Sequence, residues 1–248
     1  MSRRRASLLA GVLVASVAAG CSSRLGLPHE ATRHGHAVLD LWRVLFWCAA
    51  GVLALVIAPL AYVLVRYREN RPGVGPVSER AGNVRLEVAY TALPLLLAGA
   101  LFALSMRAGV GDGISSANRT DRPLTVDVTG FQWQWRFHYP DTGLTVVGAP
   151  GHEPELVLPL GRTVRLRLRA ADVIHSFYVP AFLLKRDAIP GRPQILEVEP
   201  SRAGAFKGNC AEFCGLDHSR MGFRVRILEP AAFERWSQKG RGTGGDSG

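Results

Sequence analysis

The chain has 248 residues, is 48% hydrophobic and carries a formal net charge of +10, and both properties are unevenly distributed. The apolar excess lies in the first 107 residues, while the remainder is mixed in polarity and long enough for one domain with its own core. From residue 108 onward, 18 basic residues stand against 15 acidic ones, and this balance of only +3 argues against nucleic acid as a partner. Composition therefore predicts a membrane anchor followed by a globular domain.

The N-terminus has the features of a bacterial export signal. Three arginines and an apolar stretch are followed by Ala18, Ala19 and Gly20, directly before Cys21. We expect residues 1–20 to be removed and Cys21 to become a lipidated mature N-terminus. A plain signal peptide and an uncleaved extra anchor are the alternatives.

Two uncharged stretches follow, Val44–Val65 with 22 residues and Val88–Met106 with 19. Each is long enough to cross a hydrocarbon core about 30 Å thick as a helix. The loop Arg66–Arg85 carries five arginines and two glutamates, so the positive-inside rule places it in the cytoplasm. Residues 21–107 are therefore predicted to be a two-helix anchor in the bacterial plasma membrane, with the following domain on the extracytoplasmic, periplasmic side.

From Arg122 the apolar residues recur with a period of two, which is typical of half-buried strands. Arginines alternate with apolar side chains in two segments, at Val164, Leu166 and Leu168 and again at Phe223, Val225 and Ile227. Turns rich in proline and glycine separate the predicted strands. We expect residues 108–238 to form a Greek-key β-sandwich that ends in a short helix, Ala231–Gln238, and residues 239–248 to be a disordered tail.

The densest group of metal-binding residue types lies near the end of this domain. Cys210, Cys214, His218 and Met221 fall within twelve residues, and His175 stands 35 residues before Cys210. Sulfur ligands combined with imidazole select copper, and a thioether is a weak ligand in electron-transfer copper sites. Two cysteines separated by three residues can place both sulfurs between two metal ions, so that each ion takes one histidine. Met221 would complete one ion and a backbone carbonyl the other.

Other interpretations of the two cysteines remain open at this point. Outside the cytoplasm they could form a disulfide. A zinc site with two cysteines and two histidines would leave the thioether of Met221 without a role. A copper chaperone uses two cysteines at this spacing and a distal histidine, but it would lack His218 and Met221.

The segment Cys-Ala-Glu-Phe-Cys-Gly-Leu-Asp-His-Ser-Arg-Met at 210–221 resembles the motif Cys-Ser-Glu-x-Cys-Gly-x-x-His-x-x-Met of subunit II of cytochrome c oxidase. Residues 172–177 and 185–192 resemble two further stretches of that family. The resemblance covers essentially the whole mature chain and implies a cupredoxin-like sandwich with a binuclear CuA centre of two copper ions. The ligands that it implies are His175, Cys210, Cys214, His218, Met221 and the backbone carbonyl of Glu212. It also implies that the Glu212 carboxylate reaches a magnesium ion shared with subunit I, for which a solvated loop carboxylate is the alternative.

The same resemblance implies a role in electron transfer. Members of the family accept electrons from cytochrome c and pass them to haem in subunit I, which reduces dioxygen to water with proton translocation. The aromatic segment 130–139 resembles the family's electron-entry segment, and its first tryptophan maps to Trp133; core packing is the alternative for Trp133 and for Trp135. Glu87 matches a glutamate at the mouth of a proton channel into subunit I, with simple interfacial solvation as the alternative.

Departures from the family pattern concern docking of the electron donor. Gln134 and His138 replace residues that are aromatic and acidic in the family, and Asp172, Asp187 and Asp141 remain as carboxylates for a basic cytochrome. With a domain balance near +3, steering of a strongly basic cytochrome would be weak. We therefore expect a membrane-tethered or less basic donor. A quinol-oxidase subunit would lack the cysteine pair, and the CuA domain of nitrous-oxide reductase comes with a propeller that this chain lacks.

Overall fold

The computed structural model describes residues 26–67, 82–113 and 123–242. The predicted export signal, Cys21 and most of the arginine-rich loop lie outside these residues. Contacts divide the chain into two compact units. The described residues 40–67 and 82–112 form an anchor unit, and residues 26–39 and 123–242 form a sandwich unit.

The anchor unit consists of two long apolar helices. Helix α1 spans Arg33–Arg66, beginning in the sandwich unit, and helix α2 spans Val84–Gly113. Both are long and apolar enough to cross a membrane, and their most apolar 18-residue segments have mean hydropathies of 2.5 in α1 and 1.9 in the part of α2 up to Arg107. None of their most apolar residues is buried within the chain, which distinguishes them from core helices of a soluble domain. Both extend beyond the predicted uncharged stretches because the helical backbone continues through their polar flanks.

The sandwich unit contains ten strands in two five-stranded sheets. The strands are β1 Leu124–Phe131, β2 Gln134–Tyr139, β3 Leu144–Val147, β4 Glu155–Pro159, β5 Val164–Ala170, β6 His175–Val179, β7 Leu184–Ala188, β8 Gln194–Val198, β9 Gly204–Cys210 and β10 Gly222–Leu228. The first sheet has the order β3-β2-β1-β5-β8 and the second the order β4-β10-β9-β6-β7. Strand β1 runs parallel to β5, and β4 runs parallel to β10, while the other neighbours are antiparallel. The predicted β-sandwich is confirmed.

The alternation seen in the sequence becomes the inward and outward faces of these strands. Val164, Leu166 and Leu168 are fully buried, while the arginines between them are only partly buried. The phenol of Tyr139, also buried, donates a hydrogen bond to Val157 O at 3.0 Å and accepts one from Val157 N at 2.8 Å. The backbone N–H and carbonyl groups of the buried Val157 therefore each have a hydrogen-bond partner.

Residues 26–39 were predicted to belong to the membrane anchor, but they pack on the sandwich instead. Ala31 N donates to Ala181 O at 2.7 Å, and Ser201 N donates to Ala31 O at 2.9 Å. Ala31 and Thr32 are fully buried, and Leu39 is 2% exposed. These backbone hydrogen bonds and buried side chains tie the segment to the β-domain, and sequence periodicity gives no sign of them.

The C-terminal helix is longer than predicted. Helix α3 spans Pro230–Gly242 and therefore includes residues 239–242, which were assigned to the disordered tail. Its apolar side packs on the sandwich, with Phe233 only 4% exposed and the Trp236 ring 5.1 Å from the ring of Tyr139. Packing of these two aromatic side chains stabilises the helix.

Candidate metal centre

Three adjacent strands bring the metal-binding residue types to one end of the second sheet. His175 is the first residue of β6, Cys210 is the last residue of β9, and Met221 directly precedes β10. Cys210 pairs with Phe177 across β6, and its N–H donates to Met221 O at 3.0 Å. The loop between Cys210 and Met221 folds back over this edge and supplies Cys214 and His218.

The two cysteine sulfurs lie at the middle of the cluster, with one imidazole beside each. The Sγ atoms of Cys210 and Cys214 are 3.9 Å apart, and both cysteines are free thiols. His175 Nδ1 lies 3.9 Å from Cys210 Sγ, and His218 Nδ1 lies 3.5 Å from Cys214 Sγ. Both imidazoles therefore turn the same ring nitrogen toward the sulfur pair.

Two weaker donors complete the arrangement, again one for each sulfur. The carbonyl oxygen of Glu212 lies 3.3 Å from Cys210 Sγ, and Met221 Sδ lies 3.7 Å from Cys214 Sγ. All six donor groups predicted from the sequence thus converge. The ligand atoms of His175, Cys210 and Cys214 lie within 4.8 Å of one another, close enough to hold a metal ion.

The donor set fits copper better than a hard metal ion. His175 is fully buried, and Cys210, Cys214 and Met221 are 7%, 4% and 1% exposed. Sulfur and imidazole nitrogen outnumber the single carbonyl oxygen, and Mg²⁺ or Ca²⁺ would require mainly oxygen ligands. Burial of these donors away from water fits a permanent metal site.

Asp172 fixes the orientation of the His175 ring. Its Oδ1 accepts from His175 Nε2 at 2.8 Å, and the carboxylate also accepts from the N–H groups of Gln132 and Val173, each at 2.7 Å. Because Nε2 is engaged, Nδ1 is left free for a metal ion. Partial burial opposes ionisation of Asp172, but these hydrogen bonds outweigh it and lower its pKa.

The two thiols influence each other because they are close together. Burial tends to raise the pKa of Cys210, but the hydrogen bond with His175 and nearby backbone groups lower it overall. Burial and the charge of Cys210 raise the pKa of Cys214. In the absence of a cation, Cys210 ionises first and its negative charge opposes ionisation of Cys214. A bound cation would remove this opposition.

Trp133 contacts the metal-binding loop directly. Its indole Nε1 donates to Cys214 O at 3.2 Å, and Gln132 Nε2 donates to the same oxygen at 2.9 Å. Gly215 has a φ of +120°, and a Cβ there would lie 3.2 Å from the Trp133 ring, so glycine allows both the turn and the close approach. The half-buried indole of Trp133 therefore connects the protein surface to Cys214.

Trp135 has a different environment from Trp133. It is fully buried, and its ring makes edge-on contacts with His175, Phe177 and Phe223 at centroid distances of 6.1, 5.9 and 5.5 Å. Its Nε1 donates to Met221 O at 3.4 Å. The core-packing interpretation of Trp135 is therefore confirmed.

The other predicted residues lie outside the buried cluster. The side chain of Glu212 is exposed on the loop, and Asp187 accepts a hydrogen bond from Ser176 Oγ at 2.7 Å. Glu87 lies in the first turn of α2, in the anchor unit, and is exposed within it. The roles predicted for these three residues remain predictions.

Sequence reasoning missed three residues that shape the site. Asp172 was interpreted as a docking carboxylate, although its position three residues before His175 could have suggested a ring-orienting partner. Gln132 was noted only as part of the aromatic segment. At Gly130, an added Cβ would lie 3.0 Å from the His175 ring, so any other residue there would force the imidazole or β1 to shift slightly. No pattern in the sequence predicts the contact between Gly130 and His175.

Fold and site define a β-sandwich protein that has two helices long and apolar enough to cross a membrane and a buried cluster of sulfur and imidazole donors that can hold a metal ion. Residues 151–228 match the family described as cytochrome c oxidase subunit II, periplasmic domain. The probable cytochrome c oxidase subunit 2 of Streptomyces avermitilis is 33% identical over 95% of this chain and 86% of its own length. The corresponding protein of Streptomyces coelicolor is 34% identical over 96% and 87%. The chain belongs to the cytochrome c oxidase subunit 2 family.

A solved structure is similar as well. The periplasmic domain of subunit II of cytochrome oxidase from Bradyrhizobium japonicum is 33% identical, with a TM-score of 0.46. The match covers 50% of this chain and 99% of that one.

Proposed function

We propose that this chain is the electron-entry subunit of a haem–copper oxidase. It accepts electrons from an external cytochrome c and passes them to haem in subunit I, where dioxygen is reduced to water with proton translocation. The observation that carries the proposal is the pair of sulfurs at 3.9 Å, each with one imidazole beside it. A disulfide or a chaperone needs neither the second imidazole nor the thioether.

The metal centre proposed for this cluster is a binuclear CuA site. The residues that would hold it are His175, Cys210, Cys214, His218, Met221 and, through its carbonyl, Glu212. Two copper ions bound there would take up and release single electrons. The negative charge of the two cysteine thiolates would offset part of the metal charge in a buried environment.

The surrounding residues prepare the site for rapid electron transfer. Asp172 holds the His175 ring in one orientation, and the buried aromatic contacts of Trp135 support the same ring from the core. Rigid, buried ligands change position little when charge changes, which keeps the energetic cost of electron transfer low. Trp133 offers the entry route, since a hydrogen bond joins its indole to Cys214 O.

The proposal extends to the membrane and to the partner subunits. The two apolar helices would anchor the chain in the bacterial plasma membrane beside subunit I, with a lipidated Cys21 as a further anchor. The exposed carboxylate of Glu212 would reach a magnesium ion shared with subunit I, for which carboxylate oxygen is a suitable ligand. Glu87 would stand at the mouth of a proton channel on the cytoplasmic side.

Metal analysis of the purified full-length chain tests the proposal. Reconstitution with copper under controlled reducing conditions should give two copper ions per chain and no stable zinc. The amount of copper should be compared before and after dialysis against a weak chelator, because a buried site exchanges slowly. A final content of one copper per chain would rule out the binuclear centre.

A further inference from the structure

Two exposed arginines flank the same residue on the outer face of the first sheet. Arg136 on β2 and Arg169 on β5 are both paired with Thr129 on the intervening strand β1. Both side chains are exposed. Neighbouring strands lie about 4.8 Å apart, which places the two backbones about 10 Å from each other. We call Arg136, Thr129 and Arg169 the two-arginine surface.

The arginines of the two-arginine surface form no ion pair with any described residue. Further along the same face, Arg165 pairs with Glu197 at 2.8 Å and Arg167 pairs with Asp127. Among the residues that the structure describes, Arg136 and Arg169 have no carboxylate at ion-pair distance. The guanidinium of Arg136 instead lies over the ring of Phe131, 5.5 Å from its centroid.

This surface lies next to the proposed electron-entry residue. Thr129 is two residues from Phe131, where β1 ends, and the next two residues are Gln132 and Trp133. At about 3.3 Å per residue, the row containing the arginines is about 7 Å from the end of the strand. Gly130, between Thr129 and Phe131, packs against His175 on the inner face. The outer face of the first sheet therefore presents the two arginines, on either side of this strand, close to the metal-binding end.

Of the three carboxylates expected to attract a basic donor, Asp172 and Asp187 are engaged within the protein, while Asp141 is exposed in the turn between β2 and β3. Asp172 accepts three hydrogen bonds, from Gln132, Val173 and His175, and Asp187 accepts one from Ser176. Among the described residues, two guanidinium groups without an ion pair thus lie on the strands next to the one that leads to Trp133, while Asp172 and Asp187 already have hydrogen-bond partners. Charge next to the entry residue favours an anionic contact surface over a lysine-rich one.

We propose that the two-arginine surface docks an electron-donating cytochrome whose contact face carries carboxylates. Guanidinium groups bind carboxylates through paired N–H···O hydrogen bonds, which position a partner as well as attract it. The inference rests on the proposed function, because it assigns the partner of the same electron-entry site. From the sequence we expect a membrane-tethered or less basic donor. The two-arginine surface goes further, since it calls for a donor whose contact face is negatively charged.

Stopped-flow reduction of the complete oxidase complex by two c-type cytochromes, one acidic and one lysine-rich, tests this proposal. With the unmodified protein at low salt, the acidic cytochrome should react faster, and its rate should fall as salt is added. Combining Arg136→Gln with Arg169→Gln should slow the acidic cytochrome by about fivefold to tenfold at low salt. The rate with the lysine-rich cytochrome should stay constant or rise.

A matched double variant separates local from overall charge. Arg235→Gln with Lys239→Gln removes the same two charges from exposed positions on α3, and it should change either rate by less than about twofold. Faster reduction by the lysine-rich cytochrome, with a rate that falls as salt rises, would overturn the proposal, as would equal effects of the two double variants. Reduction by a small uncharged reductant reports on the proposed function alone. If that reduction fails in the unmodified complex, the proposed function falls, and this inference with it.

Discussion

The loop between Cys210 and Met221 has two sides with opposite properties. On its inner side, Cys214 and Met221 are buried, at 4% and 1% exposed, and His218 is partly buried, while Phe213 and Leu216 on its outer side are 79% and 89% exposed. Phe213 directly precedes Cys214 in the sequence, and Leu216 follows Cys214 by two residues. This difference separates inner side chains that can hold a metal ion from outer side chains that are exposed and free to contact other molecules.

Removal of an inner sulfur should have the largest effect. Cys214→Ser replaces one of the two central sulfurs by a hydroxyl, a poor ligand for copper, and should abolish binding of the second copper ion. Metal content and the visible absorption of thiolate–copper bonds measure this loss. The matched control is Cys48→Ser, which changes a free cysteine in α1 and should leave both readings unaltered. Equal losses of copper in Cys214→Ser and Cys48→Ser would contradict the assignment of Cys214 as a copper ligand.

The orienting carboxylate should have the next largest effect. In Asp172→Asn the charge that supports His175 is lost, and copper affinity should fall by about 10- to 100-fold, as is usual for such outer partners of a ligand. Competition with a chelator of known affinity measures this change. Asp187→Asn alters a carboxylate that bonds Ser176 instead of a proposed ligand, so its effect should be clearly smaller. A larger loss of copper affinity in Asp187→Asn than in Asp172→Asn would show that Asp172 does not have the orienting role.

A buried polar group outside the cluster should affect stability without affecting copper. Tyr139→Phe leaves the N–H and carbonyl of Val157 without their partner and should lower the free energy of unfolding by about 1–3 kcal/mol. Denaturant unfolding of the folded chain measures this effect. Copper content per folded chain should be unchanged, and a loss of copper would show that the core and the metal centre are not separable.

The same tyrosine gives a pH dependence with a definite sign. Burial raises the pKa of Tyr139 above the ordinary tyrosine value of 10.0. Because the folded protein holds this proton more tightly than the unfolded chain, the stabilisation is complete below about pH 10 and is lost as pH rises further. Unfolding measured from pH 8 to 11 should show this loss in the unmodified protein, and the loss should be weaker in Tyr139→Phe. The same loss of stability in the unmodified protein and in Tyr139→Phe would show that other groups cause the alkaline sensitivity.

The outer side of the loop should tolerate substitution. Leu216→Ser changes an exposed side chain and should alter the free energy of unfolding by less than about 0.5 kcal/mol, with full copper content. Any defect should appear only in the rate of reaction with partner proteins. A loss of copper in this variant would remove the distinction between the two sides.

Much of the architecture could be predicted because it depends on local patterns. The period-two alternation around Val164 and Phe223 gave the strands, and two uncharged stretches gave the helices. The spacing from Cys210 to Met221 gave the donor set, because one loop carries four of its side chains. These features depend on neighbours along the chain, which the sequence shows directly.

The rest depends on contacts between distant segments. Residues 26–39 bind to the sandwich through the backbone of Ala31, and backbone hydrogen bonds leave no signature in side-chain pattern. The close approach of Gly130 to His175 and the hydrogen bond from Trp133 to Cys214 join strands that are far apart in sequence. The spacing of Asp172 and His175 could suggest an orienting role, but the three hydrogen bonds that the Asp172 carboxylate accepts are seen only in the fold.

Electron paramagnetic resonance of the copper-loaded, partly oxidised full-length chain tests the central claim most directly. If both cysteine sulfurs link two copper ions, one unpaired electron is shared between two copper nuclei, and the hyperfine splitting should show equal coupling to both. A spectrum with coupling to a single copper nucleus, or a protein whose cysteines have joined in a disulfide and bind no copper, would contradict the account.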